Sequence, residues 1–195
     1  MRVLNGIKNV LCYYWLYAMF SFRSFLCWLD SLNKSNQIIF ETEYTGQKVL
    51  LLAIYQKGKL RGDIKNMLAI AKAKGMYVFC VNTLTLKDAG ELRDLVDCYI
   101  ERFNFGRDFG SYKLGFLHMY QRGWHKTCPR VLMMNDSVFY SKVKLESFFD
   151  KLLSTQKEVV AATETHEVQH HLGAFCISIG EPIIRHKLFK NFWTK

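Results

Sequence analysis

Three short blocks carry the residue types that chemistry would need. The first is residues 102–120, RFNFGRDFGSYKLGFLHMY, where an apolar run gives way to Gly106 and Gly110 with Arg107 and Asp108 between them. Glycines at a strand-to-helix turn let backbone approach a ligand, and a helix starting there favours an anion. Arg107 offers a planar fork for phosphate, and Asp108 offers a carboxylate for a ribose or sugar hydroxyl. The plainer alternative is a turn whose Arg107 and Asp108 pair with each other on the surface. The second block is MMNDSVFY at residues 133–140, another apolar run ending in polar Asn135, Asp136 and Ser137. The third is ATETHEVQHHLGAFCISIG at residues 162–180, which holds Glu164, Glu167 and a run of histidines.

The blocks need elements to hold them. Residues 48–55, KVLLLAIY, form a continuous apolar run of strand length, as a buried parallel strand requires. Residues 64–74 are helical, with Ile64, Met67, Leu68 and Ala71 on one face and Gly75 as the stop. Residues 76–81 are a second strand, with Asn82 at its carboxyl end. A helix is expected over 87–95 and a third strand over 98–103, followed by the glycine turn and its helix. Residues 130–134 make a fourth strand, 145–153 a helix, 158–163 and 172–179 two more strands, and 181–192 a closing amphipathic helix. Strands alternating with helices predict an α/β fold, a mostly parallel sheet flanked on both faces. Ligands of such sheets bind at strand carboxyl ends, where Asn82, the Arg107 turn and residues 135–137 all fall.

At 195 residues the chain can build a real core, and with half of its residues hydrophobic it is not a disordered protein. The formal net charge of +10 suits nucleic acid, an anionic membrane face or a phosphate-bearing substrate. The basic residues are scattered rather than gathered in a stripe, which argues against nucleic acid. No two of the six cysteines form a C-x-x-C pair, so a zinc ribbon or redox couple is not indicated. They read as reduced core residues of a cytosolic protein.

Residues 10–29, VLCYYWLYAMFSFRSFLCWL, are nearly all apolar and long enough to span a bilayer. Their many aromatic residues and Arg23 fit a helix lying in the membrane interface, at the cytoplasmic face, better than a simple span. The competing arrangement is a helix packed on the rest of the protein or on a partner chain. Two regions are expected: an apolar helix and connector over 1–46, and an α/β domain over 47–195 that ends as though cut from a longer chain.

Taken together, FNFGRDFGSY, MMNDSVF and ATETHEVQHHLGAFCISIG resemble the rhamnan synthesis protein F family and related polysaccharide glycosyltransferases, over roughly residues 48–193. The family's N-x-G-R-D turn is matched by Asn104, Gly106, Arg107 and Asp108, and its N-D-S by Asn135, Asp136 and Ser137. Its later block is matched by Thr163, Glu164, Thr165, Glu167, His171, Leu172 and Phe175, with Glu164 in place of Asp and Gly173-Ala174 in place of Gln-Ser. The resemblance implies a GT-A-like fold and transfer of a rhamnose-like sugar from a nucleotide-sugar donor. The acceptor would be an oligosaccharide or lipid-linked chain of a surface polysaccharide or lipopolysaccharide.

Such a transfer must neutralise a diphosphate leaving group and deprotonate an acceptor hydroxyl. Asp136 is the carboxylate for Mg²⁺ or Mn²⁺, with phosphates and waters completing the shell because no Asp-x-Asp is present. Asp136 could equally cap the structure that follows it. Arg107, Asp108, Asn135, Ser137 and His171 are the donor-binding candidates, with Asn82 and Tyr55 weaker ones for the nucleotide base, for which the plainer alternative is a structural role. Glu164 or Glu167 is the acceptor base, Glu164 being nearer the strand end. A rival pattern is H-E-x-x-H at 166–170, which on a helix binds zinc and makes a metalloprotease. Its setting between two strand-like runs argues against that helix and makes His166 and His170 dispensable. A degenerate transferase that only scaffolds polysaccharide assembly is the remaining alternative.

Overall fold

The computed structural model describes residues 2–166 and 169–195, with side chains from residue 8 onward. It divides into two compact units, Met1–Ser35 and Asn36–Lys195.

The first unit is one helix, α1 (Arg2–Leu32). Tyr13, Tyr14, Trp15, Tyr17, Phe20, Phe22, Phe25 and Trp28 along it are all exposed. By length and composition, Lys8–Leu32 is able to cross a membrane.

The second unit carries, in order, β1 (Gln37–Glu41), β2 (Val49–Ile54), α2 (Gly62–Ala73), β3 (Tyr77–Asn82), β4 (Cys98–Glu101), α3 (Arg107–Gln121) and β5 (Arg130–Asn135). It continues with α4 (Leu145–Ser154), β6 (Val159–Ala161), β7 (Glu164–Thr165), β8 (His171–Leu172), β9 (Cys176–Gly180), α5 (Glu181–Arg185) and α6 (Lys187–Thr194). A seven-stranded sheet has the order β1-β4-β3-β2-β5-β9-β6, and β7 and β8 form a separate ribbon. The central strands β4, β3, β2 and β5 are parallel, while β1 and β9 pair antiparallel at the flanks. The expected α/β architecture is present.

Every residue of β2, β3 and β5 is buried, because helices cover both faces. Alternation along β2 divides the core in two. Leu50, Leu52 and Ile54 pack against Ile64, Met67, Leu68 and Ala71 of α2 and Phe149 of α4. Val49, Leu51 and Ala53 face Tyr112, Phe116 and Met119 of α3, with Ile184 of α5 and Trp193 of α6 beside them. The apolar runs read from sequence are thus the middle layer of three.

Four local expectations are corrected. The polar connector before residue 47 contains β1, whose Phe40 reaches the core and pairs with Tyr99. The helix expected over 87–95 is only a short 3-10 turn, Ala89–Leu92, held by the Asp88 side chain. The run at 172–179 is broken into β8 and β9, because the chain turns at Ala174 and Phe175. The closing helix is likewise two pieces, divided at His186, whose extended backbone stops α5 and whose ring caps α6.

The connections fix where a ligand can enter. From β2 the chain passes by α2 to its neighbour β3 and on to β4, then returns by α3 to β5 on the other side of β2. Sheet order therefore reverses between β2 and β5, which opens a crevice at their carboxyl ends. β6 pairs with β9 antiparallel, and β9 with β5 antiparallel, so β6 runs parallel to β5 and ends on the same edge.

Candidate functional site at the strand carboxyl ends

A cleft of about 330 Å³ lies at that edge, lined by Tyr55, Thr83, Asn104, Arg107 and Asp108. Tyr55 follows β2, Thr83 follows β3, and the last three follow β4, so consecutive parallel strands each contribute to its wall.

The glycine turn is shaped by two backbone constraints. Gly106 has φ of 77° and Arg107 has φ of 48°, a left-handed pair that turns the chain abruptly into α3. At Gly110, a Cβ would lie 2.1 Å from the Phe105 carbonyl oxygen, so no side chain fits there. Arg102 locks the same turn from within: its guanidinium donates to the carbonyls of Phe105 and Arg107 and to Ser111 Oγ. Arg107 itself stands at the rim, with Asp108 in the first turn of α3.

The second block sits beside it. Asn135 Nδ2 donates to Asp108 Oδ2 at 2.9 Å, joining the end of β5 to the start of α3. Asn135 Oδ1 accepts from the Ser137 hydroxyl at 2.6 Å and from the Ser137 N–H at 3.2 Å, which orients that amide. Asp136 Oδ2 accepts from the Tyr55 N–H at 3.0 Å and from the Gln56 side-chain amide. Asp136 is 8% exposed. This carboxylate thus ties β2 to β5 across the switch point, and its Oδ2 has a structural role. Burial, followed by the charge of Asp136, raises the Asp108 carboxyl above its ordinary range, against the opposing Asn135 hydrogen bond and Arg107.

Asp108 lines the cleft and feels the charge of Asp136 behind it, and two such carboxylates could hold a divalent cation if the remaining shell came from ligand oxygens and water. Asp108 therefore joins Asp136 as a carboxylate able to serve that purpose.

Asn82 requires correction as a donor contact. It is fully buried, its oxygen accepts from the Gln56 and Leu84 N–H groups, and its amide donates to the Gln56 carbonyl and the Tyr99 hydroxyl. All four hydrogen-bonding positions are occupied, so Asn82 holds the loop after β2 in place rather than reaching a ligand. Ser137, too, is engaged with Asn135.

Arg61 and Asp63, at the start of α2, lie outside the three blocks singled out in the sequence. Arg61 grips Asp63 through two bonds of 2.7 and 2.9 Å, and reaches the carbonyls of Asp136 at 3.2 Å and Val138 at 2.7 Å. Asp63 accepts the Tyr140 N–H at 3.0 Å, and the Arg61 bond holds its carboxyl below the ordinary range. The clamp fixes the 136–140 loop from outside the cleft. Its only local signal was a charged pair at a helix start.

The third block leaves the same edge. Asn135 N–H donates to the Phe175 carbonyl at 3.1 Å and Ala162 N–H to the Cys176 carbonyl at 3.0 Å, which anchors both roots of the β7–β8 hairpin. Glu164 is exposed on β7, and its Oε2 lies 2.9 Å from His170 Nε2. His171 is exposed on β8, with Nδ1 2.9 Å from the Gln169 carbonyl. Glu167 lies outside the described residues. Thr165 pairs with His171 in an antiparallel ladder, so His166 and His170 stand on opposite arms of a hairpin. The helix that a zinc-protease H-E-x-x-H needs is therefore not the structure of this segment.

Fold and site together define an α/β protein with a switch-point crevice lined by Arg, Asp and Asn. Residues 76–195 match the family of rhamnan synthesis protein F, and the chain belongs to that family. It is also 28% identical over 152 residues to "Uncharacterized protein y4gN" of Sinorhizobium fredii, covering 74% of this chain and 39% of that protein. The chain thus spans well under half the length of that relative. No solved structure matches it.

Proposed function

We propose that the protein is a glycosyltransferase that moves a rhamnose-like sugar from a nucleotide-sugar to a growing surface polysaccharide or lipopolysaccharide. The observation that carries this reading is the joined turn: Arg107, Asp108, Asn135 and Asp136 meet where β4, β2 and β5 end. The family matched by residues 76–195 supports the polysaccharide context.

In this mechanism the donor diphosphate lies against Arg107 and the first turn of α3, where a planar cation and unpaired backbone N–H groups favour an anion. Tyr55, 57% exposed at the cleft wall, supplies a face on which the nucleotide base can stack. Asp108 accepts a hydroxyl of the ribose or sugar. A divalent Mg²⁺ or Mn²⁺, held by Asp136 with Asp108, would offset phosphate charge as the leaving group departs. Glu164, rising from the edge where β6 ends, takes the proton of the acceptor hydroxyl; Glu167 is the other carboxylate of that segment. His171, on β8, is a further donor contact, for phosphate or sugar. α1 holds the protein peripherally on the cytoplasmic face of the membrane, where a lipid-linked or oligosaccharide acceptor is presented.

A second reading, a binding scaffold without turnover, has one observation in its favour. Asp136 Oδ2 is already engaged by Tyr55 and Gln56. One experiment separates the two. Calorimetry with nucleoside diphosphates and their sugars, with and without Mg²⁺ or Mn²⁺, identifies the donor, and release of nucleoside diphosphate upon acceptor addition reports transfer. Binding without release would support the scaffold. Equal affinity in wild type, Arg107→Ala and Asp136→Ala would overturn the site.

A further inference from the structure

The hairpin that leaves the sheet edge carries a second set of ligand-type side chains. Glu164, His166 and His170 each bring one donor atom within 4.8 Å of the other two. Glu164 Oε2 and His170 Nε2 are 2.9 Å apart. The His166 and His170 rings stack at 24°, with centroids 4.6 Å apart. All three residues are exposed, so an ion can reach them without opening the fold.

An ordinary ion pair does not account for the arrangement. An exposed His–Glu contact contributes little and gives no reason for a second imidazole stacked on the first. A neutral imidazole presents a nitrogen lone pair. Two neutral imidazoles and a carboxylate are donors for a borderline transition metal, and not for Mg²⁺ or Ca²⁺, which take oxygen. Around tetrahedral zinc, with bonds of about 2.0–2.2 Å, neighbouring donor atoms lie about 3.3 Å apart. The Glu164–His170 separation of 2.9 Å needs only a slight opening to meet that spacing.

The other cluster of this kind among the described residues, Glu41, Cys98 and His118, does not compete. Glu41 there is already paired with Arg122 at 2.8 Å, and burial raises the Cys98 thiol far from its thiolate form.

We propose that Glu164, His166 and His170 form a binding site for a divalent transition-metal ion, with Zn²⁺ the best-suited ion. The hairpin builds this site, and a helix plays no part in it. The pairing of Thr165 with His171 and of Glu164 with Leu172 brings the two arms together, so Glu164 completes the set. Three protein ligands leave one position for water or a substrate oxygen. The site rests on its own geometry, but it shares Glu164 with the transferase reading: with metal bound, Glu164 is a ligand and the acceptor base is the other candidate, Glu167.

The test is isothermal titration of the full chain, stripped with chelator, with Zn²⁺, and with Co²⁺ read by its visible absorption. Losing an outer-shell partner alone costs about 10–100-fold in metal affinity, so losing a direct ligand should cost at least about tenfold. One Zn²⁺ per chain is expected, with at least that loss in His166→Ala and His170→Ala and a measurable loss in the near-isosteric Glu164→Gln. His186→Ala, at the joint between α5 and α6, should bind as wild type does. Cobalt bands of tetrahedral intensity should disappear in the His166→Ala/His170→Ala double variant. Binding of one ion with unchanged affinity in that double variant would overturn the site, as would an absence of stoichiometric binding in the wild type. Nucleotide-sugar binding in the same samples is read separately, so failure of the metal site is distinguishable from failure of the transferase reading.

Discussion

Asn135 and Asp108, 27 residues apart in sequence, meet through a 2.9 Å hydrogen bond that closes the crevice between β5 and α3. The bond stabilises an Asp carboxylate that burial and Asp136 both disfavour. An uncharged residue of the same shape would keep the contact and relieve the charge. Asp108→Asn is therefore expected to unfold at an equal or higher temperature near pH 7 while binding nucleotide-sugar at least about tenfold more weakly, a loss of about 1.4 kcal/mol. The sign follows from a raised folded-state pKa: the wild-type penalty is full above that pKa and disappears as pH falls towards the ordinary carboxyl value. Thermal unfolding of both proteins across acid to neutral pH, with calorimetry at neutral pH, measures the two effects. Tighter binding by Asp108→Asn would remove Asp108 from the site.

Asp63 is expected to act at a distance from any ligand. Its side chain is 3% exposed and receives Arg61 and the Tyr140 N–H. Asp63→Ala leaves that N–H without its partner and releases Arg61 from the carbonyls of Asp136 and Val138, at a cost of about 1–3 kcal/mol. Urea unfolding should show the loss, and proteolysis should accelerate within residues 136–140 first. An unchanged midpoint would show that the loop is held by other contacts.

Gly110 tolerates no Cβ. At 2.1 Å from a backbone carbonyl, the added methyl forces either the glycine turn or α3 to move. Gly110→Ala should lose about 1–3 kcal/mol of stability, the usual cost of overpacking, and should also lose nucleotide-sugar affinity because Arg107 and Asp108 move with the turn. Gly62→Ala, where a Cβ meets nothing within 4 Å, serves as the control and should leave both unchanged.

His118 gives the fold a pH limit. Its ring is buried between Phe79 and Trp124, with Glu41 and Arg122 at its edge, and burial lowers its pKa below 6.5 despite Glu41. The folded state therefore disfavours the imidazolium. Its contribution to stability is full above 6.5, the unfolded value, and is lost as pH falls from there towards the folded value. Urea midpoints should fall over that interval, and His118→Gln should flatten the fall. Parallel curves would assign it to other groups.

The helix α1 carries exposed aromatic side chains along its length, together with Lys8 and Arg23. Full-length protein should sediment with anionic vesicles, and salt should weaken this only in part. Basic residues contribute about 1 kcal/mol each near anionic lipid, while apolar burial is indifferent to salt. Failure to sediment even at low salt would place α1 against protein instead.

The sequence by itself determined the layers and the edge. Runs such as VLLLAI and RVLMMN are apolar throughout because both sheet faces are covered, and that is a local property legible from composition. The glycine turn was legible for the same reason: backbone at Gly106 and Gly110 admits few residue types. What only the tertiary structure decided was the choice of partners. Asn82 looks like a ligand contact in sequence, yet the fold closes it onto Gln56, Leu84 and Tyr99. Arg61 and Asp63 look like loop charges, yet they clamp a segment more than 70 residues away. The histidines of HEVQH have helical zinc spacing, yet the strand pairing of Thr165 with His171 puts them on two arms of a hairpin. Hydrogen-bond partners distant in sequence leave no local period, because which donor meets which acceptor depends on how strands are ordered in the sheet.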